Sequence, residues 1–165
     1  MVRLDKLRKV IEGNIKADEY QVDIISRERY LTRMVDSYIH QNVHERNDTL
    51  LIRVVKRGRM GIASTNSFEP HNVIKVIKTA EKLASQNQVD MDYQNLPKGE
   101  RIEYGRRFNE KTSKVTPRQR ALLLKEVVNY CRGKGVNVSG FVSTEERYYS
   151  VLTSSGAECS GKDTM

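Results

Sequence analysis

At 165 residues, 38% apolar and 30% charged, the chain has the size of one domain with enough apolar mass for a real core. No apolar run approaches the ~18 residues of a membrane-spanning helix, and two cysteines, Cys131 and Cys159, make neither a disulfide framework nor a CxxC metal pair. The formal net charge is +8, and the stretch from Gln94 to Lys134, with 11 Lys/Arg against 4 Glu, supplies +7 of it.

The opening MVRLDKLRKVIEG alternates charge with apolar residues and is no secretory signal. With so little cysteine, a reducing, cytoplasmic setting is the simplest fit. Leu4, Leu7, Val10, Ile11 and Ile15 recur at helical spacing, which predicts an amphipathic helix over about residues 3–16, weakened at Gly13-Asn14. Tyr20, Val22 and Ile24 alternate as in a strand with one buried face. Arg29 to Val35 and Tyr38 to Val43 suggest two further strands separated by an Asp36-Ser37 turn, and Asn47-Asp48 reads as the next turn. The apolar runs Leu50 to Val55 and Met60 to Ala63 flank Lys56-Arg57-Gly58-Arg59, where Arg57-Gly58 sits in the place of a two-residue hairpin loop.

Glu69-Pro70 opens a second helix, whose stripe Val73, Val76, Ile77, Ala80, Leu83 and Ala84 has the spacing by which a helix covers a sheet, ending near Gln86. Residues 87–115 show no sustained period and read as a long loop or linker, functional or mobile. Thr116-Pro117-Arg118-Gln119 is a capping box, followed by a stripe of Leu123, Leu124, Val127, Val128 and Cys131 and a stop at Gly133. Val136 to Val142 and Tyr148 to Leu152 suggest two more strands, the last ended by Ser154-Ser155-Gly156. The final AECSGKDTM completes nothing recognisable, so the chain reads as cut. The expected fold is α+β: a mostly antiparallel sheet of short strands covered by two or three amphipathic helices, as a single domain over residues 1–165.

No catalytic set stands out. On a strand, His40 and His44 would lie roughly 13 Å apart, too far to share one ion. Cys131, on an apolar stripe, reads as a buried structural thiol, while Cys159 lies in a polar tail and takes no role. Ser64-Thr65-Asn66 has no GxSxG elbow and reads as a strand end. The basic hairpin of Arg53, Arg57, Gly58 and Arg59 either contacts a partner or substrate or is a solubilising tip. Arg53, inside an apolar strand, calls for a carboxylate partner, with Glu19 or Asp23 in reach of that role.

The ordered set resembles the N-terminal domain of the TldD/PmbA family, also called modulators of DNA gyrase. That family has a hairpin of the type G-R-x-G-x-A-S-T-N, matched here from Gly58-Arg59 through Gly61 and Ala63-Ser64-Thr65-Asn66, after an Arg strand matched by Arg53. Leu96-Pro97, Thr116-Pro117 and Ser155-Gly156 also fit, so that the resemblance covers about residues 17–156. Where the family often has glycines before its Arg strand, this chain has Thr49 and Leu51. The resemblance implies a noncatalytic N-terminal domain of a cytoplasmic zinc metallopeptidase, serving subunit pairing and peptide access. The zinc would sit on an H-E-x-x-x-H helix in a C-terminal domain absent from this chain; no cofactor is expected here, and no catalytic or metal residue carries over. The implied partners are a TldD/PmbA-type subunit, as homo- or heterodimer, and an unfolded peptide, with no membrane. The alternative is a basic nucleic-acid-binding module linked to gyrase modulation, resting on the stretch 94–134; a free-standing hydrolase lacks a nucleophile, base or metal set.

Overall fold

The computed structural model describes residues 4–99, 101–103 and 107–165. The amphipathic start folds as α1 (Leu4–Glu12), and the Asn14 side chain donates to the Val10 carbonyl just beyond it. The expected helix start at Arg3, and Glu100 and residues 104–106 of the expected loop, lie outside the described residues. β1 (Glu19–Val35) and β2 (Tyr38–Lys56) are each one long strand where the sequence suggests shorter ones with a turn at Asn47-Asp48. Ser26 and Asp48 hydrogen-bond to each other, so polar residues that read as a break are satisfied within the sheet and the backbone stays extended. The expected Asp36-Ser37 turn is present, both residues at positive φ.

β3 (Arg59–Thr65) returns antiparallel to β2, with Val54 opposite Gly61 and Arg53 opposite Ile62. There follow α2 (Pro70–Gln86), the short β4 (Arg101–Glu103), the single-turn α3 (Glu110–Ser113) and α4 (Pro117–Arg132). β5 (Gly140–Thr153) and β6 (Glu158–Thr164) close the order. The sheet runs β3-β2-β1-β5-β6-β4, with β4 parallel to β6. The fold is α+β, built on a mostly antiparallel sheet. The two strands expected over 136–142 and 148–152 are one, β5; Val138 instead braces the Asp36-Ser37 turn, its carbonyl accepting from Ser37 N–H at 2.8 Å. The final residues, which completed no pattern, form β6, because Arg147 holds the buried Asp163 with a two-pronged ion pair (Nε–Oδ1 2.8 Å, Nη2–Oδ2 3.1 Å).

The chain divides into two units. The first comprises Met1–Ser26, Asp48–Gly105 and Tyr149–Gly161. Its core joins Leu7 and Ile11 of α1, Val22 and Ile24 of β1, Leu50, Ile52 and Val54 of β2, and Val73, Val76, Ile77, Ala80 and Ala84 of α2. Leu83, expected in that stripe, is 38% exposed at its flank. The connection after α2 is tied down, not free: Asp90 N–H donates to the Gly58 carbonyl, Leu96 is buried, and Ser155 Oγ donates to the Pro97 carbonyl at 2.6 Å.

The second unit comprises Arg27–Asn47, Arg106–Tyr148 and Lys162–Met165. The predicted capping box starts α4: Thr116 Oγ1 accepts from Gln119 N–H, and Gln119 Oε1 accepts from Thr116 N–H. The buried face differs from the expected one. It is Arg120, Leu124 and Val128, packed with Met34, Val138 and Val142, while Leu123 and Val127 are exposed and Cys131 is half-buried. The apolar doublets Leu123-Leu124 and Val127-Val128 fit two helix phases equally well, and packing selects the phase one residue later.

Candidate functional site

Arg57 and Gly58 form the two-residue loop between β2 and β3, with φ 53° and 70°. The turn is braced from outside the hairpin: Arg57 N–H donates to Asp18 Oδ2 at 2.6 Å, and Asp90 N–H to the Gly58 carbonyl at 2.8 Å. Gly58 is therefore a structural turn residue, and a Cβ there would also come 3.1 Å from Val89. Arg59 donates from Nη1 to the Ser85 carbonyl in the last turn of α2 at 3.3 Å, while the Arg57 side chain is exposed.

Arg53 stands apart from the tip, half-buried and opposite Ile62, itself 42% exposed. Its Nε is buried and has no hydrogen-bond partner among the described residues. The two carboxylates expected to meet it are engaged elsewhere. Glu19 accepts from the Tyr93 hydroxyl at 2.7 Å and from Leu96 N–H at 3.2 Å, and Asp23 accepts from Gln21 at 2.8 Å. Burial, and then the hydrogen bond to Glu19, push the Tyr93 phenol up to about 12, with the Arg53 charge opposing.

β3 is an edge of the sheet. In a two-residue hairpin the pairs alternate between bonded and non-bonded, counting from Lys56 and Arg59. Met60, Ile62 and Ser64 consequently turn their backbone N–H and C=O groups away from β2. Asn87 Nδ2 donates to the Met60 carbonyl at 2.7 Å. No hydrogen bond to the outward groups of Ile62 and Ser64 is found among the described residues. These two residues present an open strand edge beside Arg53.

In the second unit, His44 stacks on Tyr30 with ring centroids 4.4 Å apart, and its Nε2 lies 2.8 Å from Glu28 Oε1. Tyr30 donates to the same carboxylate, which holds Glu28 below its ordinary pKa. The fully buried Arg120 donates to Thr32 Oγ1 and the Val115 carbonyl and lies over the Tyr30 ring. Arg120 is the residue that sequence reasoning passed over; its place four residues before Leu124 and eight before Val128 was the available signal. Among the described residues no three His, Cys, Asp or Glu side chains gather as a metal set.

Residues 20–84 match the family model for PmbA/TldA metallopeptidase domain 1. The fold agrees over nearly the whole chain with TldE from Thermococcus kodakarensis (TM-score 0.83, 21% identity, 98% of this chain and 37% of that one). It agrees equally with a candidate modulator of DNA gyrase from Bacteroides thetaiotaomicron (TM-score 0.85, 18% identity, 99% and 39%). A corresponding protein from Thermotoga maritima gives a TM-score of 0.70 at 16% identity, with 98% and 36% covered. This chain thus spans less than two fifths of the length of these solved structures. Curated protein sequences give no match.

The hairpin stretch 58–66 takes on a physical meaning here. Its first glycine, Gly58, makes the turn. Its second, Gly61, lies where a Cβ would stand 2.0 Å from the Ala80 carbonyl oxygen and 2.4 Å from Ala84 N, so α2 rests directly on the β3 backbone. Thr65 Oγ1 then accepts from Ser67 N–H, and Ser67 Oγ from the Asn72 side chain, which leads the chain into α2.

Proposed function

We propose that this chain is a noncatalytic first domain of a TldD/PmbA-type zinc metallopeptidase, acting in subunit pairing and in the access of unfolded peptide to a metal held elsewhere. The observation that carries it is the family match at residues 20–84 within a fold shared over 98–99% of the chain with proteins more than twice as long. The zinc belongs, on this reading, to a further domain; no metal-dependent step is assigned to residues of this one. The partner is a second subunit of TldD/PmbA type, and the compartment is the cytoplasm.

The open edge at Ile62 and Ser64 gives peptide access a physical form. An extended peptide adds to β3 through its backbone, which suits a substrate recognised by lack of structure and not by sequence. The test uses Ile62→Pro, which removes one outward N–H while leaving the β2–β3 bonds in place. A fluorescein-labelled, neutral, valine- and threonine-rich peptide should bind the purified chain uncleaved, and more weakly after the substitution. Unchanged binding by the variant sinks the edge as the access route. Chelator-sensitive cleavage by the chain alone sinks the noncatalytic assignment.

A further inference from the structure

The second unit holds a groove of about 390 Å³ between α4 and the start of β2, at the small end of the range for binding clefts. Its lining is apolar at the buried Leu124 and Val128 and at the exposed walls, Ile39 and Leu122. Its rim carries Arg118, Lys125 and Arg132, seven residues apart on α4 and so in a row with steps of about 10.5 Å. Arg132 also lies over the Tyr38 ring, 5.6 Å from its centroid, and forms one wall with it. The lining contains three cations and no carboxylate, and among the described residues none of the three is in an ion pair. The apolar wall is also open: Leu122 is 51% and Tyr38 70% exposed.

We propose that this groove docks an acidic segment of a partner protein, with an apolar side chain seated against Ile39 and Leu122 and flanking carboxylates paired with Arg118, Lys125 and Arg132. Charge complementarity selects the occupant. A second copy of a chain with net charge +8 meets this rim with the wrong sign. Nucleic acid would satisfy the cations yet leave the aliphatic walls without a counterpart, whereas an acidic peptide with an apolar anchor matches both. The proposal does not depend on the metallopeptidase reading, since it uses no residue of β3 and no peptide cleavage.

The experiment is fluorescence anisotropy with a labelled peptide of glutamates around a central leucine pair, on the intact chain. Controls are the same peptide with the leucines replaced by serine, and a single-stranded oligonucleotide of equal charge. The leucine peptide should bind best and weaken with salt. The exposed double variant Arg118→Glu, Lys125→Glu should lose about tenfold in affinity with an unchanged circular dichroism spectrum. Leu122→Ser should weaken the leucine peptide while leaving the serine peptide as it was. Should that helical surface fail to tolerate reversal, Lys125→Gln alone reads the same charge contact. Equal binding of leucine and serine peptides, tighter binding of the oligonucleotide, or no loss in the charge variants overturns the proposal. Sedimentation showing self-association that Leu122→Ser abolishes also overturns it, in favour of a second copy.

Discussion

Single side chains here are set by what they meet across the fold more than by their own chemistry. Tyr93 is the clearest case, because its neighbour Glu19 comes from 74 residues away and also holds Leu96 N–H. An ordinary phenol titrates near 10; this one is pushed up to about 12. A group whose pKa is raised on folding contributes stability fully below the unfolded value and loses it as pH climbs through the folded one. Tyr93 should therefore make the first unit lose stability between about pH 10 and pH 12. Tyr20 and Tyr30 are raised too, the first by burial and the second by Glu28, so the comparison must be with Tyr93→Phe. Urea unfolding on either side of that window should show a smaller alkaline loss in the variant, and an equal loss refutes the coupling. At Arg53 the sequence announced a need for a partner, and the structure shows both nearby carboxylates committed to other donors. A lone charge in a strand is visible in a sequence; its counter-ion is a matter of three-dimensional placement.

At the level of elements, the β2–β3–α2 segment was the most legible part, since its hairpin loop, strand pair and helix stripe all rest on contacts within about thirty residues. Val54 and Ile62 do lie on paired strands, and α2 begins at Pro70 and ends at Gln86 as its pattern predicts. What the pattern did not reveal is why Gly61 is glycine. The α2 backbone at Ala80 and Ala84 fills the space of a Cβ, and backbone cannot yield as a flexible side chain can. Gly61→Ala should cost at least about 1–3 kcal/mol, measured as a fall in the urea midpoint with little change in m. A cost below a few tenths would mean the helix shifts freely, and the contact would lose its structural meaning. The long strands were misread for the converse reason. Asn47-Asp48 looks like a turn when only local propensity is weighed, and a cross-strand hydrogen bond from Ser26 satisfies the Asp48 carboxylate within the sheet.

Over the molecule as a whole, the two units differ in what holds them. The first has a continuous aliphatic core with α1 and α2 on one sheet face. The second has Met34, Leu124 and Val128 at its centre, with Arg120, Thr32, Glu145 and Asp163 buried among hydrogen bonds and ion pairs. Apolar burial stabilises by roughly 25 cal/mol per Å², whereas buried ion pairs give back much of their Coulomb energy as desolvation. Amide hydrogen exchange should accordingly be slowest in the first unit, at Ile52, Val54 and Ile77, and faster by at least tenfold at Leu124 and Val128. Equal protection would show that the second unit draws on more than its small core, and that the chain opens as one cooperative body.

The sequence by itself determined the α+β class, the hairpin with its Gly58 turn, the span of α2, the capped start of α4 and the family resemblance. Each of these is written in spacing or in turn and cap chemistry that neighbouring residues decide among themselves. Only the tertiary structure decided that Arg120 is buried while Leu123 is not, that the last residues form β6, and which strand edge stands open beside Arg53. Those outcomes depend on contacts between residues far apart in the chain, whose energies no local pattern encodes.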